Sequence, residues 1–298
     1  MMRFHIHAII ASLAVLLVSC AQAPKDIQTK SFFQKDSTEY SRMSMKIDLP
    51  VSSGNVASNI KAKLMEVTDD ILSRVTSYEN ERFYPPYDGD KADADAFVDY
   101  YFKQTSSLIE HLSRSEVEER NAYIMEDDDM SEAQKKQILA YIPMWGYDFS
   151  LEKIYENPAC VVFKSMDYIY MGGAHGGVVG KGGLTFDKKD GSLVEHLVDR
   201  AKAADIQPLL VKGIIDYFSD AGFKVSADQI HEYLSLDGDA IPLPAWEPYP
   251  SEKGIEFIYQ QYEIASYAAG MPSFTVSYDD IAPFLTPQGQ AIMEAVAK

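Results

Sequence analysis

The chain has 298 residues, of which 46% are hydrophobic and 24% charged, and its formal net charge at pH 7 is −18. This composition suffices for one large or two modest folded domains. The acidic charge excludes nucleic acid as an expected partner, because binding it depends on clustered Lys and Arg that release counterions. A cationic partner would be attracted, but acidity also keeps an extracytoplasmic protein soluble, so charge alone leaves both interpretations open.

The N-terminus has the features of a secretory signal, with Arg3 followed by an apolar run over 8–18. This run is too short to span a bilayer as a mature helix, which takes about 20 residues. It ends in Leu17-Val18-Ser19-Cys20, which resembles a bacterial lipobox. We therefore expect residues 1–19 to be a lipoprotein signal peptide and Cys20 to carry the lipid. The protein would be extracytoplasmic and anchored to a bacterial membrane, the outer membrane in a Gram-negative organism.

The next segment is polar and aperiodic, which predicts a tether over residues 20–44. Residues 45–54 then predict a short strand and a turn. A helix is predicted to follow, because apolar residues recur at spacings of three and four, at Val56, Ile60, Leu64, Val67, Ile71 and Val75. The acids within 81–97 suit the start of a second helix. They do not form an EF-hand calcium loop, because Ala92 stands where an oxygen ligand is needed.

The second half of the sequence predicts several strands and few helices. The predicted strands are 145–152, 159–171, 184–187, 254–265 and 273–278, with a hairpin turn at 187–191, a helix around Leu210, Ile214 and Phe218, and a terminal helix from Thr286-Pro287. Strands and helices come in blocks, which favours an α+β fold of antiparallel sheets with helices packed on them. We predict two consecutive subdomains, an N-terminal α+β domain over 45–155 and a C-terminal one over 156–298.

A glycine-rich segment is the most unusual feature of the sequence. Residues 170–177 read YMGGAHGG, and seven of the twelve positions 172–183 are glycine. The segment is not a phosphate-binding loop, because His175 and Gly182 occupy positions where that motif requires glycine and a hydroxyl residue. It is not a dinucleotide-binding fingerprint, because a strand rather than a helix follows it.

His175 lies at the centre of this segment and admits more than one role. The mature chain has no HExxH or HxH spacing and no GxSxG motif, so no catalytic or metal partner is evident from the sequence. A histidine hydrogen-bonded to the backbone is the simplest hypothesis. The alternative is a cell-wall hydrolase in which His175 acts with nearby acids such as Asp187, and a third is a purely structural envelope protein. Cys160, in an apolar run, is predicted to be a buried small hydrophobe.

Three segments carry a resemblance to a known family. YMGGAHG (170–176), FDKKDGSLVEHLV (186–198) and the stretch 254–281 resemble the C-terminal domain of extracytoplasmic proteins that include lysozyme-sensing anti-sigma factors. The same module is similar to the non-catalytic part of some peptidoglycan deacetylases. The chain lacks the sigma-binding segment and spanning helix of the former and the catalytic domain of the latter. It also has Ser266 where the family pattern leads us to expect proline.

The resemblance implies an α+β ectodomain that binds a partner, without a cofactor, a metal or catalytic residues. We expect a lipid-anchored, non-enzymatic binding module for lysozyme-like proteins or peptidoglycan. The predicted binding residues lie in the loop 171–183 and in the aromatic stretch that follows later in the chain: Gly172, Gly173, His175, Gly176, Tyr262 and Tyr267.

Overall fold

A computed structural model describes residues 25–76, 79–173 and 176–296 of the chain. In these ranges five strands form one sheet: β1 (Thr29–Ser37), β2 (Ser41–Pro50), β3 (Trp145–Glu156), β4 (Cys160–Tyr170) and β5 (Val178–Asp187). A smaller antiparallel sheet contains β6 (Tyr249–Pro250), β7 (Gly254–Ile258) and β8 (Ser273–Ser277). The helices are α1 (Asn55–Ser73), α2 (Ala94–Glu126), α3 (Glu132–Leu139), α4 (Gln207–Asp220), α5 (Ile230–Tyr233), α6 (Tyr278–Ile281) and α7 (Pro287–Glu294). The predicted α+β fold class is confirmed.

The large sheet is mixed, which corrects the prediction of antiparallel sheets. Strand order follows the chain from β1 to β5, and β2 and β3 are parallel, with Ser41 opposite Trp145 and Ile47 opposite Leu151. The parallel pair is possible because α1 and α2 lie between these two strands in sequence and carry the chain back to the end of the sheet where β2 began.

The predicted tether is wrong from residue 29 onward, because β1 occupies Thr29–Ser37. It pairs with β2 along its whole length and forms one edge of the sheet. An edge strand exposes much of its surface, so its composition is polar, and in β1 only Phe32 is buried. Polar composition therefore concealed a strand rather than indicating a linker. The predicted signal peptide and Cys20 lie outside the described residues.

The two long helices form as their apolar spacing predicts. Ile60 and Leu64 of α1 are fully buried against the large sheet, together with Phe97 and Tyr101 of α2. The Asp93 side chain caps α2 by accepting a hydrogen bond from the backbone N–H of Ala96 at 3.0 Å. Both helices pack mainly over β1 to β3. Within the described ranges, none of the helices combines the length and hydropathy that spanning a membrane requires.

The C-terminal part has its own core, in which α4 packs against the small sheet. Ile214 of α4 and Phe257 of β7 are fully buried in it. The predicted boundary near residue 155 falls between β3 and β4, which are paired neighbours. Residues up to 187 therefore complete the large sheet, and the smaller sheet lies beside its last strand, β5.

Candidate functional site

The glycine segment is a short turn followed by an edge strand. The turn comprises residues 171–177, and the ladder between β4 and β5 begins with Ile169 opposite Val178. The predicted binding loop 171–183 is therefore too long, because its second half is strand. His175 and Ala174 lie outside the described residues, between Gly173 and Gly176.

The first two glycines of the turn have different environments. Gly172 has a φ of +72°, and a Cβ atom at this position would lie 2.6 Å from Cβ of Pro143, so both conformation and space favour glycine. A Cβ on Gly173 would meet no atom within 4 Å. The Gly173 carbonyl accepts a hydrogen bond from the Tyr170 hydroxyl at 3.1 Å.

The structure brings the second half of the turn together with both predicted tyrosines. The Tyr267 hydroxyl donates to the carbonyl of Gly177 at 2.9 Å, and a side chain on Gly176 would collide with that hydroxyl. The rings of Tyr262 and Tyr267 are neighbours, with centroids 5.8 Å apart. Gly176, Tyr262 and Tyr267 thus form one cluster, which we call the tyrosine surface, together with the turn 171–177.

Side-chain amides complete the outer edge of β5. The backbone N–H groups of Val179 and Lys181 donate to Oε1 of Gln261 and Gln260 at 2.9 and 3.0 Å. The Gln260 amide donates back to the Lys181 carbonyl at 2.7 Å. These glutamines follow β7, which ends at Ile258, so the predicted strand 254–265 is wrong beyond that residue. The chain leaves the sheet there and uses side chains instead of a sixth strand.

Two glycines of β5 make room for aromatic rings. A side chain on Gly182 would overlap the indole of Trp246, and one on Gly183 would overlap the ring of Tyr249. Adjacent strand residues point to opposite faces, so the segment from 246 to 249 crosses the edge of β5 with one ring on each side. Tyr249 is buried, whereas 38% of Trp246 remains exposed. These glycines therefore serve packing between the two sheets.

Tyr262 has a strained backbone and an exposed side chain. Its φ is +65°, a left-handed conformation that is rare for a bulky residue, and the side chain is 66% exposed. Gln260 and Gln261 fix the preceding backbone to β5, and Oε2 of Glu263 accepts the N–H of Gln260 at 2.7 Å. An exposed aromatic ring in a strained, firmly held turn is a feature of recognition sites.

Asp167 is a candidate that sequence reasoning missed. It lies on β4 opposite Gly180, and its carboxylate fills the space where a side chain of residue 180 would be. Burial raises its pKa to about 6, and among the described residues its carboxylate receives a hydrogen bond only from its own backbone N–H. The one available signal was an isolated acid within the apolar strand ACVVFKSMDYIYM.

A second polar group without a partner lies next to Asp167. The Tyr147 hydroxyl is buried, and it has no hydrogen-bond partner within the part of the chain that the structure describes. Burial raises the pKa of this phenol, and the negative charge of Asp167 raises it further. Two neighbouring polar groups without partners are unusual, because buried polar atoms are normally hydrogen-bonded.

The acid proposed to act with His175 is remote from the turn. Asp187 ends β5, and a strand that runs from 178 to 187 spans about 30 Å. Its carboxylate accepts hydrogen bonds from Gln288 and from the backbone of Lys189. Cys160 is fully buried, and burial raises its pKa to about 12, which disfavours a thiolate nucleophile. The described residues contain no group of three or more His, Cys, Asp or Glu placed to hold a metal ion.

Comparisons with known proteins connect the chain to one family. A family profile described as "Protein of unknown function (DUF3298)" matches residues 237–279. A crystal structure of a DUF3298 family member from Bacteroides fragilis superimposes with a TM-score of 0.60 at 14% identity, covering 93% of this chain and 100% of that one. A DUF3298 family protein from Pseudomonas aeruginosa has a TM-score of 0.52 at 12% identity, with coverage of 90% and 98%. No curated protein matches the sequence.

These similarities show a shared fold rather than a shared activity, because the identities are low. The matched residues 237–279 include Trp246, Gln260, Gln261, Tyr262 and Tyr267, so the profile covers the segment that packs on β5. The more specific resemblance to anti-sigma-factor ectodomains and deacetylases stays a prediction.

If the glycines of β5 serve packing, their substitution should destabilise the fold in a position-specific way. We expect Gly183→Ala to lower the free energy of unfolding by about 2 kcal/mol, because the buried Tyr249 ring cannot move aside. Gly173→Ala is the matched control and should change it by less than about 0.5 kcal/mol, because its Cβ enters open space. Urea unfolding of both variants measures the difference. Equal effects would contradict the packing role.

Asp167 should destabilise the protein at neutral pH. Its pKa in the folded state is raised from 3.8 to about 6, so the folded protein loses stability as pH rises from about 4 to 6. We expect Asp167→Asn to remove this loss and to be more stable than the natural protein by about 2 kcal/mol at pH 7, but not at pH 4. Unfolding measured at both pH values tests this. A variant that is less stable at pH 7 would show that the carboxylate has a stabilising partner.

Proposed function

We propose that this protein is an envelope-anchored lipoprotein that acts as a non-enzymatic binding module, with the tyrosine surface as its recognition site. The observation that carries the proposal is Tyr262, a large aromatic residue that is two-thirds exposed and held at positive φ. Exposed, rigid aromatic side chains are efficient anchors at protein interfaces, because they bury a large area while losing little conformational freedom.

The environment of Tyr262 limits its movement before any partner binds. Its ring contacts the Tyr267 ring, and the Tyr267 hydroxyl is bound to the glycine turn. The two preceding glutamines are bound to β5. Such preorganisation favours affinity, because little conformational entropy remains to be lost on binding. The turn itself supplies exposed backbone at Gly173 and Gly176.

The partner that we propose first is a cationic protein of the lysozyme type, and peptidoglycan is the second. The net charge of −18 would attract a cationic protein and increase its association rate. The resemblance of the glycine segment and of 254–281 to lysozyme-sensing ectodomains points to the same partner. Neutral muropeptides would gain less from the charge, which ranks peptidoglycan second.

The membrane attachment is part of the proposal and rests on the N-terminal sequence alone. A lipid on Cys20 would hold the protein at the outer face of a bacterial membrane or in the outer membrane. The segment from Cys20 to the start of β1 at Thr29 would then separate the folded part from the lipid by at most about 30 Å, even when fully extended.

Calorimetric titration of the purified protein with lysozyme tests the proposal. We expect binding that weakens as salt rises from about 50 to 200 mM, since exposed charges are screened over this range. Tyr262→Gly should reduce the affinity at least about tenfold, because an aromatic anchor is lost. Its melting temperature should stay unchanged or rise, because glycine adopts the positive φ without strain.

Phe33→Ala is the matched control for this titration. Phe33 is also a well-exposed aromatic residue, at 63%, but it lies on β1, at the opposite edge of the large sheet. Its substitution should leave lysozyme binding unchanged. Absence of heat with the natural protein at both salt concentrations would remove lysozyme as the ligand, and equal losses in the two variants would contradict the tyrosine surface.

A further inference from the structure

The face of β4 and β5 that carries Asp167 is open at the end near the glycine turn. Residues 178, 180 and 182 of β5 lie on this face, as do Ile169 and Asp167 of β4. The helices pack mainly over β1 to β3, and Val178 is 48% exposed. Gly180 has no side chain, so the sheet has a gap between Val178 and the Trp246 ring above Gly182. Same-face positions are about 7 Å apart along a strand, which makes the gap roughly 13 Å long.

Three side chains give this gap a defined chemistry. Asp167 offers a carboxylate that accepts hydrogen bonds, and the adjacent Tyr147 hydroxyl lacks a partner among the described residues. Trp246 is fixed above Gly182 and 38% exposed, and it offers an apolar face. A hydrogen-bond acceptor, a hydrogen-bond donor and an apolar ring are thus collected within one short stretch of sheet.

These groups match the features of an acetamido group carried on a sugar ring. Its N–H can donate to Asp167, its carbonyl can accept from Tyr147, and its methyl group and the sugar C–H groups can contact the apolar faces of Val178 and Trp246. A divalent cation fits less well, because it needs six or more oxygen ligands and the described residues place a single carboxylate here. We infer that this gap is a binding site for an N-acetylated saccharide, formed by Asp167, Tyr147 and Trp246 around Gly180.

The inference is independent of the proposed protein partner, since it uses different side chains from the tyrosine surface. It also explains why two polar groups without structural partners lie in the same place. Their desolvation costs stability that hydrogen bonds inside the described protein do not return. A ligand that satisfies both groups would recover it.

Titration of the purified protein with the trisaccharide of β-1,4-linked N-acetylglucosamine tests the inference. The chain has two tryptophans, and Trp145 is buried, so Trp246 should report binding by a change in fluorescence. We expect saturable binding, loss of the fluorescence change in Trp246→Phe, and at least about tenfold weaker binding in Asp167→Asn, the effect of losing a hydrogen bond to a charged group. The trisaccharide of β-1,4-linked glucose, which lacks the acetamido group, should not bind.

Two control variants separate this site from other effects. Asp237→Asn removes the same charge from an exposed position and should bind the trisaccharide like the natural protein. Tyr262→Gly should also bind it normally, so loss of lysozyme binding and loss of saccharide binding are distinguishable. Equal affinity of the natural protein and Asp167→Asn would overturn the inference, as would absence of binding by folded protein up to about 10 mM, the weak limit for a specific site.

Discussion

The architecture around the glycine segment depends on how the outer edge of β5 is closed. An unpaired edge strand exposes N–H and C=O groups that would otherwise pair with another chain or lose their hydrogen bonds. Here Gln260 and Gln261 satisfy the groups of Val179 and Lys181 through their side-chain amides. This contact connects the segment after β7 to the large sheet, and it brings the smaller sheet against β5.

Closure of the edge explains the glycine composition better than chemistry at His175 does. Rings from the C-terminal part occupy the space above Gly182 and Gly183, and the Tyr267 hydroxyl occupies the space next to Gly176. Glycine is required at these positions because larger residues would displace the rings. The same contacts hold Tyr262 at the surface in a conformation that an unsupported chain would avoid. Packing and the candidate recognition surface therefore have a common cause.

Local patterns in the sequence predicted the elements whose stability is local. The stripe from Val56 to Ile71 and the acids before Phe97 correctly indicated α1 and α2, because side chains three and four apart share a helix face. The alternation after Trp145 indicated β3. The α+β class followed from the order of these blocks. Each of these predictions depends on residues that are near one another in the chain.

Features that depend on distant contacts could not be predicted in this way. The parallel pairing of β2 with β3 joins segments separated by two helices, and β1 looks polar because it lies at an edge. Gln260 and Gln261 continue an apolar, strand-like pattern, yet they act as hydrogen-bonding groups for β5. Asp167 acquires its raised pKa from burial in the folded sheet, which no sequence window reveals.

Amide hydrogen exchange at Val179 and Lys181 tests the closure of β5 most directly. Both amides should exchange slowly in the natural protein, since side-chain carbonyls hold them. Gln261→Ala should selectively accelerate exchange at Val179, and Gln260→Ala at Lys181, while the amides that pair β5 with β4 stay protected. Rapid exchange of both amides in the natural protein would contradict the account, because the edge would then be open.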